Sequence, residues 1–170
     1  RNFNAIDGAK VISLCDLNEN VLGKVSKLYP ATTTSTDVMD ILSSKDIDAV
    51  AIMTPVYPQF ELAKKALQNG KHVFVEKPFT STVAQAEELV ELADKKNLQI
   101  MVDHTFLFTG AVKKIKQLID EKQLGKLYYY DSMRVNLGLF QHDVNVVWDL
   151  APHDFAIMDY VVPERPIALS

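Results

Sequence analysis

Short apolar runs alternate with amphipathic stretches along most of the chain, and the two periods name the elements. Ala9-Lys10-Val11-Ile12-Ser13-Leu14-Cys15 is an apolar run that ends at Asp16, and a helical pattern follows from Asn18 to about Leu28. Asp37 to about Ser44 reads as a short helix with Thr36 or Asp37 as its cap. Ile47 to Met53 reads as a second strand, buried and ending at Thr54-Pro55. Tyr57 to Asn69 is helical, with Phe60, Ala63, Lys64 and Leu67 on one face and Gly70 placed to end it. The run His72-Val73-Phe74-Val75 is the next strand, followed by a helix from about Thr82 to Lys96 and the strand Gln99–Val102. A further helix spans about Ala111 to Glu121. Strands buried on both faces and alternating with helices predict an α/β fold with a parallel, doubly wound sheet.

After Gly125 the pattern changes. Leu127 to Val135, with Tyr128-Tyr129-Tyr130 inside it, is longer, aromatic and more polar, as in an antiparallel strand with one exposed face. The helical stretch Asn145 to Val162 follows a loop. The boundary is placed near Leu124-Gly125: residues 1–124 form a first domain, and residues 125–170 begin a second, with one strand and one helix, too little to close a core.

Composition narrows the function classes. Hydrophobic residues make up 48% and charged ones 24% of 170 residues, as in ordinary globular proteins. A net charge of −4 without a basic block argues against nucleic acid and anionic membranes as partners. The Tyr triplet therefore reads as strand packing rather than a platform for bases. Cys15, the single cysteine, excludes an internal disulfide; it reads as a small core residue and fits a reducing, cytoplasmic compartment. No apolar run reaches the roughly 20 residues of a membrane span. Arg1-Asn2-Phe3 opens without methionine or the apolar core of a signal peptide, so the chain reads as a fragment or processed form.

Chemistry concentrates at strand ends. Pro78 forces Lys77 into an extended conformation directly after the His72–Val75 strand, with Glu76 beside it, and ligands of open α/β sheets bind at that edge. A solvated strand-end lysine is the plain alternative. Asp16 occupies the point from which a carboxylate accepts the ribose hydroxyls of NAD and repels the phosphate of NADP; a turn residue or helix cap reads equally well. Asp149 and His153 are four apart, so on a helix they share a face, and a carboxylate there can orient an imidazole for proton transfer. The alternative is a surface pair. Thr54-Pro55 and His104 also follow strands, where a cofactor contact and a turn or structural role are both open. His142-Asp143 has no third partner at metal-ligand spacing. The loop G-x-G-x-x-G, due about 20 residues before Asp16, is absent, so the first strand and its loop are expected off the start of the chain, with Arg1 to Ala5 as the tail of the helix after them.

In order, the segments Ile12–Asp16, Ala49–Pro55, Glu61–Leu67, Gly70–Pro78 and Asp149–Asp154 resemble the glucose–fructose oxidoreductase / inositol dehydrogenase (Gfo/Idh/MocA) family over essentially the whole chain, as the front half of a longer member. The resemblance implies an NAD-binding Rossmann domain, a second α/β domain with an open antiparallel sheet, and hydride transfer at a sugar or polyol carbon. It implies that Lys77 holds the reacting hydroxyl beside the nicotinamide, that Lys77-Pro78 is cis, and that His153 is the general acid/base, oriented by Asp149. Asp16 would hold the ribose, and Thr54, Pro55 and Glu76 would line the cofactor site; His104, placed just past the last parallel strand, remains a cofactor candidate by position, with a structural role as its alternative. NAD is expected over NADP. Many members have a histidine four residues after the Thr-Pro pair, where this chain has Pro58-Gln59. The stretches Arg134–Gly138 and Asn145–Asp154 look most like members acting at C3 of UDP-N-acetyl amino sugars, which makes Arg134 and Asn136 candidate substrate contacts, an exposed strand arginine being the equal alternative for Arg134. A homo-oligomer is expected of the full-length protein. The family's NAD-dependent glycosidases and a non-catalytic fragment are the competing readings.

Overall fold

The computed structural model describes residues 2–135 and 144–168. Strand β1 (Ser13–Cys15) leads into α1 (Glu19–Leu28), whose first turn is closed by Asn18, its side chain accepting from Asn20 and Val21 N–H. Strand β2 (Thr33–Ser35) precedes the short α2 (Val38–Leu42), and of the two caps on offer Asp37 is used, accepting from Met39 N–H. Then come β3 (Ala49–Ile52), α3 (Val56–Gln68), β4 (His72–Val75), α4 (Val83–Lys96) and β5 (Ile100–Val102). A 3-10 turn (Thr105–Phe108), α5 (Gly110–Asp120) and α6 (Val146–Val161) follow.

Helix α3 ends as its sequence predicts. Gly70 adopts φ +76, Lys71 N–H reaches back to Ala66 O, and Gly70 N–H bonds Leu67 O, so two of the last carbonyls are satisfied. Helix α6 is capped by Asn145, which accepts from Trp148 N–H, and it carries Pro152 in its interior.

β1 and β2 are parallel, with Ser13 opposite Thr33 and Cys15 opposite Ser35. The other sheet has the order β3-β4-β5. In it Val73 N–H donates to Gln99 O and Asp103 N–H to Val75 O, so the register advances in the same sense on both strands, as a parallel ladder requires.

Several expectations need correction. β2 carries no apolar run, and the ladder with β1 rather than burial keeps it extended. The strands are not buried on both faces: Ala49 and Ala51 of β3 are exposed, and so is Cys15, because no element covers those faces among the described residues. The segment Leu127–Val135 is not a strand, since no partner strand pairs with it among the described residues. Phe3–Ala5 is a single 3-10 turn rather than the tail of an α-helix. Among the described residues no helix is long and apolar enough to cross a membrane.

Packing divides the chain into two compact units. The first comprises Arg1–Ile52, Glu61–Phe74 and Glu87–Ile100, and its core is built on Leu22, Ile41, Leu42, Ile52, Ala63, Leu67 and Leu89. Inside it Lys71 is buried, its Nζ donating to Ser44 O and Ile47 O and fastening the chain between α2 and β3. The second unit comprises Met53–Phe60, Val75–Ala86 and Met101–Ser170, so it takes up the chain where β3, β4 and β5 finish. Its buried residues include Val56, Phe60, Val75, Val112 and Val161. In this unit α6 packs on α5 and on the 3-10 turn.

Leu67 is 0% exposed and Leu17 is 90% exposed. Leu67→Ala is expected to lower unfolding free energy by about 2–5 kcal/mol, and Leu17→Ala by no more than about 0.5 kcal/mol, both read from urea denaturation.

Candidate active site

The second unit gathers the loops that follow the carboxyl ends of three strands. Lys77 comes directly after β4 and Glu76, whose carboxylate accepts from Lys77 N–H at 2.8 Å. The Lys77–Pro78 peptide is cis. The Lys77 side chain is not solvated: Nζ donates to both the backbone O (2.6 Å) and Oδ1 (2.9 Å) of Asp149, with side chains 20% and 22% exposed. One residue earlier, Trp148 Nε1 donates to Thr80 O at 3.2 Å. The first turn of α6 is thus tied at two consecutive residues to the loop after β4.

Asp149 and His153 lie one turn apart on α6, yet the expected carboxylate–imidazole bond does not form. The Lys77 ammonium carries a full charge within reach, and a charge-assisted bond outcompetes a neutral imidazole N–H. His153 instead meets Phe106 edge-on, with ring centroids 4.7 Å apart. Its Nδ1 is buried without a hydrogen-bond partner among the described residues. Burial lowers the His153 pKa below the ordinary imidazole value; repulsion from Lys77, from Arg134 and from His104 when protonated adds to this, and Asp154 opposes it. These surroundings favour the neutral form of the ring.

His104, one residue past Asp103 at the end of β5, shares that condition. Its Nδ1 is buried and unpartnered, and burial lowers its pKa against the opposing pull of Asp103. Thr54 Oγ1 is a third buried atom without a partner, and Gln59 Oε1 a fourth. Gln59 is only 1% exposed; its Nε2 donates to Thr54 O at 2.9 Å and fixes the turn after β3, where Pro55 is exposed. All four orphaned atoms belong to the second unit. A buried polar atom left without a partner is costly unless a ligand or water satisfies it.

Asp16 lies in the first unit. Its Oδ1 accepts from Asn18 N–H at 2.8 Å and its N–H donates to Ser35 O, so the carboxylate is held at the strand end by the turn that the plainer reading also called for. Arg134 is engaged within the second unit: Nε donates to Asp154 Oδ2 at 2.6 Å, and the guanidinium lies 4.9 Å from the centre of the Phe106 ring. Asn136, like His142 and Asp143, lies outside the described residues. Sequence reasoning passed over Asp154, Phe106 and Gln59 as site residues. For Asp154 the signal was its place beside His153; for Phe106, a distance in space, there was none.

Parallel strands crossed by helices, with titratable side chains collected past the strand ends, define the Rossmann class of nucleotide-binding α/β proteins. The chain belongs to the Gfo/Idh/MocA oxidoreductase family, with its NAD-binding Rossmann fold, which matches residues 1–104. It is 34% identical to the oxidoreductase YdgJ of Escherichia coli over 154 residues, which is 82% of this chain and 44% of that protein. Against the scyllo-inositol 2-dehydrogenase (NAD(+)) of Bacillus subtilis the identity is 27% over 98% of this chain and 50% of that one. A crystal structure of scyllo-inositol dehydrogenase from Lactobacillus casei, with bound NAD(H) and scyllo-inositol, superposes with a TM-score of 0.66 at 27% identity, covering 71% of this chain and 36% of that one. The chain spans about half the length of the two curated relatives.

Two imidazoles with folded-state values below the unfolded one fix the sign of a pH effect. The native state binds fewer protons than the unfolded chain just below the free imidazole value of about 6.5, so this contribution to stability is complete above that pH and is lost as pH falls towards the folded values. His153→Gln is expected to lose less of its urea midpoint than the wild type between about pH 7.5 and pH 5.5.

Proposed function

We propose that the chain supplies the nicotinamide side of a dehydrogenase that moves hydride between NAD and an alcohol carbon of a sugar or polyol. The observation that carries this reading is the Lys77–Asp149 pair in the same unit as a neutral, unpartnered His153. An alcohol needs both: a cation to hold its oxygen as negative charge develops, and a base to take its proton.

The residues present fit the cofactor. Thr54 Oγ1, Gln59 Oε1 and His104 Nδ1 are buried and unsatisfied, as donors and acceptors waiting for a polar ligand are. The Asp16 carboxylate, pinned through one oxygen by Asn18, suits ribose hydroxyls and disfavours an added phosphate, which supports NAD over NADP. Glu76, Thr54 and Pro55 line the same strand ends. When bound, NAD takes up the hydride. The protein's part is positional and acid–base. Lys77, held in place by Asp149, donates to the substrate oxygen; His153 accepts the hydroxyl proton; Arg134 and Asn136 contact the rest of the substrate.

C3 of a UDP-N-acetyl amino sugar is the finer assignment, supported by the Arg134–Gly138 and Asn145–Asp154 stretches; a polyol of the inositol type is the nearest competitor. The substrate domain is taken to begin near Gly125, and the working form is proposed to be a cytoplasmic homo-oligomer.

Turnover by the complete gene product is to be measured with NAD against UDP-N-acetylglucosamine and inositols. Lys77→Met is expected to lower kcat by at least about a hundredfold while the NAD Kd by calorimetry changes only a few-fold. Near-normal turnover in that variant would overturn the assignment of Lys77, and absence of NAD binding by the wild type would overturn the cofactor.

A further inference from the structure

Asp154 takes no part in the chemistry proposed above, yet more side chains converge on it than on any catalytic candidate. Ser132 Oγ donates to its Oδ1 at 2.6 Å, Arg134 Nε to its Oδ2 at 2.6 Å, and Tyr130 OH points at its backbone O at 3.5 Å. Residues 130, 132 and 134 alternate along one segment of the chain, and all three reach Asp154. That segment has no strand partner among the described residues, and Asp154 supplies the fixed points a ladder would otherwise provide. The Asp154–Arg134 bond places the guanidinium over one region of the Phe106 ring, and the same ring meets His153. The line of contact therefore returns to α6 one residue before it began.

We propose that Asp154 is a positioning residue, which clamps the Tyr130–Arg134 segment onto α6 and, through Arg134 stacked on Phe106, sets the place of the His153 ring. The inference rests on the reading of His153 as proton carrier and adds the carboxylate that governs it. It also reassigns a role: the orienting carboxylate expected at Asp149 is committed to Lys77, and the acid that answers for the His153 surroundings is its neighbour in sequence.

The charged and titratable groups facing His153 are Lys77 from the loop after β4, His104 from the end of β5, Arg134 from the clamped segment, and Asp154 and Asp149 on α6 itself. Arg134 disfavours the imidazolium and Asp154 favours it. Removing either member of the clamp should therefore move the His153 titration, and in opposite directions. Asp154→Asn keeps one acceptor oxygen, enough for Arg134 or Ser132 but not both, and drops the charge. Arg134→Gln keeps a donor for Asp154 but drops the opposite charge.

The titration of the His153 Cε1 proton is read by NMR on the chain without cofactor or substrate, with its resonance assigned by its loss in His153→Gln. Asp154→Asn is expected to shift it to lower pH and Arg134→Gln to higher pH. A mirrored pair of shifts is not produced by a role in folding alone, which would lower the thermal midpoint and leave the titration in place. Both variants unmoved, or both moved the same way, overturns the proposal. Should Asp154→Asn fail to fold, Arg134→Gln decides by itself, and a shift to lower pH or none sinks the clamp. Mirrored shifts in a protein inactive on every alcohol would remove the proposed reaction and leave the clamp standing.

Discussion

The partly buried pair of Lys77 and Asp149 is the constraint on which the arrangement of the second unit depends. Two charges shielded from water carry a desolvation cost, and the geometry must offset it with close, charge-assisted bonds. Here the ammonium takes two acceptors from a single residue, one of them a backbone carbonyl that cannot move without moving the helix. A flexible side chain is thereby converted into a rigid strut between a strand end and the first turn of α6. The Trp148–Thr80 bond braces the same junction and prevents rotation about the strut. The first turn of α6, from which His153 and Asp154 follow, is thereby fixed.

The electrostatics follow from this anchoring. With its carboxylate taken by Lys77, Asp149 cannot neutralise His153, and burial beside Lys77, Arg134 and His104 keeps the imidazole uncharged. Next to His153 in sequence, Asp154 titrates below the ordinary carboxylate value: burial opposes the shift, and the bonds from Arg134 and Ser132 outweigh it.

How much of this was legible depended on whether the cause was local. Lys77 could be placed because Pro78 restricts its own neighbour, and the α3 terminus because Gly70 satisfies a backbone requirement in its own turn. Asp37, one of the two caps the sequence offered for α2, is the one used, while Asn18 and Asn145, placed by the pattern only at helix starts, cap α1 and α6. Spacing placed Asp149 and His153 on one face, but not the partner that would claim the carboxylate, 72 residues away in sequence. β2 went unread because Thr33-Thr34-Ser35 is held by a neighbouring strand rather than by its own hydrophobicity. The Tyr128–Tyr130 segment failed in the opposite sense: its composition suits a strand, but pairing needs a second strand. Cys15 was misjudged for the same reason, since burial belongs to the layer above a strand as much as to the strand.

The indole bond to Thr80 has an optical consequence. Trp148 is the single tryptophan of the chain, 39% exposed, with its ring N–H donated to the loop that carries Lys77. Its emission colour and lifetime therefore report on one junction alone, with no other indole to dilute the signal. Undocking of the α6 first turn would free the N–H to water and redden the fluorescence. The protein carries a native chromophore at the point where its lysine strut meets its helix.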